Sequence, residues 1–218
     1  MQIITQDNNR EAKEHGSFSF PVYISVEQIQ AYDHGTFLWH WHPEIELTWI
    51  MSGEMEYQIN DTTYKLSEGD GIFGNSNSLH TGRRTGGHQC TYLSITFHPR
   101  FLYGYENSIL QTKYVGFITS NESWSSLTFR QDVKWQKEIL DVIKEIYELS
   151  KSPEDDFELS VHRYLCIYGT SFIFIFPCCR IKEINLFFTF KDFENFLSLF
   201  TKTIPLRFLL MTLQKLLL

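Results

Sequence analysis

The chain has 218 residues, is 43% hydrophobic and carries a formal net charge of −7. The negative charge gives no general case for nucleic-acid binding, and the most apolar run, about twelve residues ending at Phe176, is shorter than the ~20 that span a bilayer. The first ten residues lack the basic and apolar parts of a signal peptide. We therefore expect a cytoplasmic protein without membrane contact, in which all cysteines are reduced.

The amino-terminal part predicts a flexible entry followed by strands. Residues 6–16 are polar and charged, which is typical of a segment with no fixed structure. Residues 18–26 alternate and then become apolar, so they predict a first strand, and Pro21 suits a sheet edge. Gly35 opens the next predicted strand.

Residues 39–53 hold the main chemical signal. Because side chains alternate along a strand, a continuous strand here would have one polar, ionisable face and one apolar face. The ionisable face contains His40, His42, Glu44 and Glu46. The apolar face contains Trp39, Trp41, Ile45, Leu47 and Trp49. The tryptophans are therefore expected in a core or an interface, away from the histidines.

Turns and further strands follow at short intervals. Residues 54–66 predict a β-hairpin, since Asn60-Asp61 supplies turn residues that tolerate positive φ. Residues 69–71 predict another tight turn, and residues 89–97 predict a strand. Short strands about every ten residues favour a β-barrel or sandwich.

The pattern changes to helical spacing near residue 131. Residues 133–149 have one apolar stripe, which predicts an amphipathic helix. Residues 150–153 break it at Pro153, and residues 157–166 start a second helix. The stripe fits two roles equally well, packing on the barrel or forming a dimer seam. It consists of Trp135, Ile139, Leu140, Val142, Ile143, Ile146 and Leu149.

Two spaced motifs carry a family resemblance. The first has the form H-x-H-x3-E-x6-G and runs from His40 to Gly53, and the second runs from Gly69 to His80. Together they resemble the two-part motif of cupins, which are small β-barrels with a central pocket. With the helical pair, residues 15–165 resemble the amino-terminal sensing domain of AraC-type transcription regulators. The resemblance implies a barrel that binds a small effector, helices that form a homodimer, and a separate DNA-binding module of two helix-turn-helix units.

The candidate site lies on the same two motifs. We expect His40, His42, Glu44, Glu46 and His80 to line the effector pocket. Three histidines and a carboxylate are also ligands for Zn, Mn, Fe or Ni, so His40, His42, Glu46 and His80 form a candidate metal site. No other cofactor is expected. Structural or pocket-lining roles without metal remain open for all of them.

Several neighbouring residues have two interpretations. Arg83 and Arg84 lie in a glycine-rich stretch, where they would either clamp an anionic effector or form a solvated basic loop. The hydroxyls of Tyr57, Tyr64 and Tyr92 would reach either side of the sheet.

Residues 169–218 differ from the rest of the chain. They hold ten of the nineteen phenylalanines and no histidine, and they show no recognition-helix pattern. Shifting the reading frame across Leu199 to Leu217 permits a Thr cap followed by Asp-Asp-Ile-Ala, which resembles the opening of a helix-turn-helix unit. Met211 followed by Thr212 permits only Asp in that frame. The favoured hypothesis is therefore an out-of-frame tail, and the alternative is a genuine short variant.

The sequence thus predicts a mainly β protein in three parts. Residues 15–130 form a small cupin-like jelly-roll barrel, residues 131–168 form a helical dimerisation and linker region, and residues 169–218 form an irregular apolar tail. The predicted function is effector sensing without catalysis, with homodimerisation through residues 133–166 and loss of the family's DNA binding. The alternative is a metal-dependent cupin enzyme of the isomerase or dioxygenase class.

Overall fold

A computed structural model describes residues 1–85 and 89–167, and the predicted apolar tail lies outside these ranges. Within these ranges, nine strands form two antiparallel sheets. The strands are β1 (Val22–Gln28), β2 (Thr36–His40), β3 (Ile45–Ser52), β4 (Glu54–Ile59), β5 (Thr62–Ser67), β6 (Gly71–Gly74), β7 (His80–Arg84), β8 (Thr91–Phe97) and β9 (Ser126–Phe129). This architecture confirms the prediction of a mainly β domain followed by helices.

The two sheets enclose an apolar core. One sheet has the strand order β1-β8-β3-β6-β9, and the other has the order β2-β7-β4-β5. Buried side chains from both sheets form one cluster, in which Ile50 and Tyr92 of the first sheet meet Phe37 and Met55 of the second. The predicted hairpin is confirmed, because β4 and β5 pair in register around a two-residue turn with Asn60 at φ +48°.

The central stretch is not one continuous strand, and that part of the prediction is wrong. β2 ends at His40 and pairs with β7, whereas β3 starts at Ile45 and pairs with β6 and β8. The chain crosses from one sheet to the other between these strands. Pro43 lies in the crossing and has no N–H to donate to a ladder, so the regular alternation stops there.

The amino-terminal segment is structured, so the prediction of a flexible entry is wrong. The Ala12 N–H donates to the Ile4 carbonyl, and the Glu11 N–H donates to the Trp41 carbonyl. The Trp41 N–H in turn donates to the Asn9 carbonyl. These bonds hold the segment against the crossing between β2 and β3, because the crossing has no other strand to satisfy the backbone of Trp41.

Helices follow the barrel. Short helical segments occupy Ile29–Ala31, Asp33–Gly35, Arg100–Tyr103 (α1), Gln111–Val115, Gly116–Thr119 (α2) and Glu122–Trp124. The long helix α3 spans Lys134–Lys151, and residues 157–167 form α4 within the described part of the chain. Both predicted helices are therefore present. Among the described residues, none of the helices is long and apolar enough to cross a membrane.

α3 packs on the outer face of the larger sheet. Ile139, Leu140, Ile143 and Ile146 are buried within the chain. The Trp49 ring lies 6.4 Å from that of Tyr147, which places Trp49 on the helix side of β3, away from the histidines as expected. These four central residues of the predicted apolar stripe therefore pack on the barrel, which is the first of its two predicted roles.

Gly53 provides a test of how tightly the end of β3 is packed. Its φ is +79°, and an added Cβ would lie 2.0 Å from the Gln89 carbonyl oxygen. Gly104 has a similar φ of +76° but no atom within 4 Å of such a Cβ. Gly104→Ala should therefore cost only the backbone strain, which is about 1–3 kcal/mol in a sparsely populated φ/ψ region, since the ψ of Gly104 is −72°.

Gly53→Ala should also cost backbone strain, because its φ is positive, and in addition an overpacking penalty of about 1–3 kcal/mol. Urea unfolding of both variants, followed by circular dichroism, measures the difference. Equal losses of stability would contradict the close approach of Gln89.

Candidate functional site

Three histidines converge at one end of the space between the sheets. His40 closes β2 and His80 opens β7, and the two residues are direct partners across the strand pair. Their imidazole centroids are 4.1 Å apart, and that of His42 lies 5.1 Å from His80. One nitrogen from each ring lies within 4.8 Å of the others. The histidines that the sequence singled out therefore form a compact group, all of them buried.

Backbone carbonyls set the tautomers of two of these rings. His40 Nδ1 is 2.9 Å from the Leu38 carbonyl oxygen, and His80 Nδ1 is 2.9 Å from that of Ser78. Since a carbonyl only accepts, each Nδ1 carries the proton and each Nε2 keeps its lone pair. Burial lowers the pKa of His40 to about 2, with a further contribution from His80, and burial lowers that of His80 to about 4. Both rings are neutral near pH 7.

Glu46 lies beside this group on β3. Its Oε1 accepts from the Thr48 hydroxyl at 2.8 Å and from the Tyr57 hydroxyl at 2.7 Å. Its Oε2 is 3.5 Å from His42 Nε2 and 3.8 Å from His80 Nε2. Burial raises the pKa of Glu46, but His42 and His80 outweigh that effect and hold it well below its usual range. Glu46 is therefore ionised.

His42 occupies the crossing between β2 and β3 and faces two carboxylates. Its Nδ1 lies 3.5 Å from Glu44 Oε2, opposite the contact that its Nε2 makes with Glu46. Burial lowers the pKa of His42, but the hydrogen bond and charge of Glu46, followed by the charge of Glu44, raise it above the ordinary value. Burial also raises the pKa of Glu44, and contact with His15 and the charge of His42 outweigh that effect and lower it.

The structure adds two residues that the sequence reasoning assigned to the flexible entry. Glu11 Oε2 is 3.3 Å from His15 Nε2 and 3.8 Å from His40 Nε2. His15 Nδ1 is 3.5 Å from Glu44 Oε2. The available signal was the i, i+4 spacing of Glu11 and His15, but nothing in the sequence connects that pair with residue 40.

These groups form a closed arrangement that we call the His/Glu cluster. It contains Glu11, His15, His40, His42, Glu44, Glu46 and His80. Imidazoles and carboxylates alternate around it, and the close contact between His40 and His80 completes the circuit. The amino-terminal segment covers the cluster, since the side chains of His15 and Glu11 are only 6% and 9% exposed.

The cluster has the chemistry of a cation site. His80 Nε2 is a lone-pair acceptor that faces the Glu46 carboxylate, itself an acceptor, and it has no hydrogen-bond partner. Two ligand atoms on one tetrahedral zinc ion are about 3.4 Å apart, given zinc–ligand distances of ~2.1 Å. The nitrogen–oxygen separations of 3.5–3.8 Å around Glu46 are close to that value. Such spacing fits a single ion better than an organic molecule.

The remaining candidates lie in different places. Tyr57 and Tyr92 are buried between the sheets, whereas Tyr64 is half-buried with its hydroxyl 2.7 Å from that of Ser126. Arg83 is exposed on β7 and forms an ion pair with Glu56. The arginines are therefore strand residues outside the His/Glu cluster, which favours the solvated interpretation.

Comparison with known proteins gives one family match and several similar proteins. Residues 23–167 match the family model described as "AraC-like ligand binding domain". The chain is 29% identical over 165 residues to the uncharacterized HTH-type transcriptional regulator YdeC of Bacillus subtilis (strain 168). The aligned region covers 76% of this chain and 56% of that protein. The chain thus spans about half the length of the curated relative it matches.

Two solved structures are similar at lower identity. An apo ToxT variant from Vibrio cholerae strain SCE256 has a TM-score of 0.49 and 13% identity, with 85% of this chain and 72% of that chain covered. A cupin-like protein from Thermotoga maritima MSB8 has a TM-score of 0.33 and 19% identity, with 36% and 58% covered. The family match spans well over half of the chain and includes every predicted site residue from His40 to His80. The chain belongs to the family of AraC-like ligand-binding domains.

Proposed function

We propose that this chain senses an effector at the His-lined end of its barrel, through His40, His42, Glu44, Glu46 and His80. The observation that carries the proposal is the convergence of three buried imidazoles and an ionised carboxylate. An arrangement of this kind costs free energy unless the groups have partners. A domain that did not bind anything polar would be more stable with apolar residues there.

A divalent transition-metal ion is the occupant that best fits the spacing in this structure. His40 and His80 present Nε2 lone pairs, and their Nδ1 protons are fixed by backbone carbonyls, as is usual for metal-binding histidines. Glu46 supplies a charged oxygen beside them. An organic effector would have to displace the amino-terminal segment or coordinate the ion from the side.

Zinc binding by the full-length chain tests this site. A hundredfold excess of ion over its Kd should stabilise the fold by about 2.7 kcal/mol, which a thermal shift detects. Replacing His40 and His80 together by Ala should lower the zinc affinity at least tenfold, because two of the ligands are lost. His34→Asn is the control, since His34 is exposed and Asn tolerates its φ of +57°.

Calorimetric titration with Zn, Mn and Ni gives the affinities directly. A wild-type chain with no heat and no thermal shift would contradict the metal proposal. So would a double variant that binds as tightly as the wild type.

The dimer is the second element of the proposal. Ile139, Leu140, Ile143 and Ile146 are buried on the barrel, and the apolar residues left at the surface of α3 are Trp135, Val142 and Leu149. They recur every seven residues and are half-buried, which is typical of a helix–helix seam. Leu159 of α4 is 71% exposed. These side chains support a homodimer through residues 133–166.

Val142→Glu should weaken that dimer by at least tenfold in dissociation constant, because it places a charge at the centre of the seam. Leu38→Glu is a matched control, since Leu38 is exposed on β2, which belongs to the other sheet. Sedimentation equilibrium at micromolar concentration measures both variants. A wild-type chain that remains monomeric would refute the dimer.

The metal-dependent enzyme remains a second candidate, favoured by the three histidines with Glu46. A catalytic metal needs an open coordination position that substrate can reach. Glu11 and His15 close the approach in this structure, with side chains less than a tenth exposed. This coverage supports a sensing role over catalysis.

The out-of-frame origin of residues 169–218 also stays a proposal, supported by their composition and by the alternate-frame pattern. The proposed loss of the DNA-binding module depends on the same hypothesis. Sequencing the gene from codon 150 to several hundred bases past the stop tests both ideas. We expect an alternate frame that encodes two helix-turn-helix units. If neither alternate frame is open, the tail belongs to a real short protein.

A further inference from the structure

A second group of possible ligands lies at the outer side of the His/Glu cluster. Glu44 Oε2 is 3.5 Å from His15 Nδ1 and 3.5 Å from His42 Nδ1. One atom from each of the three residues lies within 4.8 Å of the others. This group uses the opposite nitrogen of His42 from the one that faces Glu46, so it is a different set of ligand atoms that shares His42 with the first group.

Both histidine nitrogens of this group are buried and lie 3.5 Å from Glu44 Oε2 without a hydrogen bond of good geometry. Neither His15 Nδ1 nor His42 Nδ1 makes a hydrogen bond with the described residues. The side chains of His15 and His42 are 6% and 4% exposed, so water has little access to these atoms. Buried polar atoms are normally satisfied, and two that converge on one carboxylate oxygen indicate a shared occupant.

Glu11 orients the His15 ring for that role. Its Oε2 lies 3.3 Å from His15 Nε2, close enough to hold the ring proton on that nitrogen. With a cation bound between His15 and Glu44, Glu11 would hold the ring proton on Nε2 and leave the Nδ1 lone pair for the cation. A carboxylate behind a histidine ligand is the usual second-layer arrangement around zinc.

We propose that His15, His42 and Glu44 bind a divalent transition-metal ion, of which zinc is the best match to two imidazoles and one carboxylate. Donor types and burial both favour this class over calcium or magnesium, which take mainly oxygen ligands. Burial lowers the pKa of His42, but Glu46 and Glu44 raise it above the ordinary value, so metal binding must release the extra proton. The neutral imidazole that results offers a single lone pair. His42 therefore serves either this ion or an ion among His40, His42 and His80.

Binding here would fasten the amino-terminal segment to the barrel. His15 and Glu11 belong to that segment, and His42 and Glu44 belong to the crossing between β2 and β3. Arg10 and Lys13 are exposed on the segment and offer trypsin two cleavage sites beside the proposed ligands. Protection of these two bonds by zinc is a direct readout of the ion's position.

The experiment uses the full-length chain with the first group disabled by His80→Ala, so that the two sites are separated. Equilibrium dialysis with zinc should give one bound ion in this variant, and zinc should slow cleavage after Arg10 and Lys13. Adding His15→Ala should abolish that ion and the protection, and Glu44→Gln should weaken it at least tenfold. Adding His34→Asn instead should change neither. His40→Ala replaces His80→Ala as the background if the latter does not fold by circular dichroism.

Zinc binding that is unchanged by His15→Ala and Glu44→Gln in this background would overturn the proposal, as would a background variant that binds no zinc. Failure of the first site is distinguishable, because His80→Ala alone would then bind zinc as the wild type does. If His15, His42 and Glu44 do not bind zinc, a His15→Ala single variant will bind zinc with the wild-type affinity.

Discussion

The seven side chains of the His/Glu cluster are enclosed at one end of the barrel, and the mutual compensation of their charges is the constraint on which the local structure depends. A buried carboxylate or imidazolium is costly unless an opposite charge or a hydrogen bond lies next to it. Each carboxylate of the His/Glu cluster therefore lies between two imidazoles. The hydroxyls of Thr48 and Tyr57 satisfy the remaining oxygen of Glu46.

This compensation explains the position of the amino-terminal segment. Without Glu11 and His15, His40 would lose its facing carboxylate and Glu44 would lose one imidazole. The segment also satisfies the backbone of Trp41 where the chain leaves one sheet for the other. Polar and backbone contacts, with little apolar burial, attach it to the barrel. Attachment of that kind is sensitive to what occupies the cluster, since an ion or an effector would change the charge that the segment compensates.

The larger sheet needs cover on its outer face because the outward-facing side chains of β3 are apolar. Ile45 and Leu47 are buried on the face that bears Trp49, and α3 packs against that face. Gly71 of β6 allows this close packing, since a Cβ there would lie 2.8 Å from Leu140 Cδ2. The central apolar residues of α3 are therefore buried against the sheet. Only the narrow strip of Trp135, Val142 and Leu149 is left for contact with a partner.

Much of the architecture was predictable from local pattern. The hairpin at Asn60-Asp61 and the helix α3 follow from turn chemistry and apolar periodicity, which depend on neighbours within a few residues. The convergence of His40, His42, Glu46 and His80 was also expected, although through the spacing of two motifs that resemble a known family. The strand break at Pro43 was missed because the residues around it alternate as they would in a strand.

The sequence by itself determined the chemical types at the site and the elements that carry them. Only the tertiary structure decided that Glu11 and His15 join them, and which nitrogen of His42 faces which carboxylate. The physical reason is that these choices depend on long-range compensation of charge and backbone hydrogen bonds. A polar segment with weak local preference takes its position from whatever it can neutralise, and that information lies in the folded surroundings.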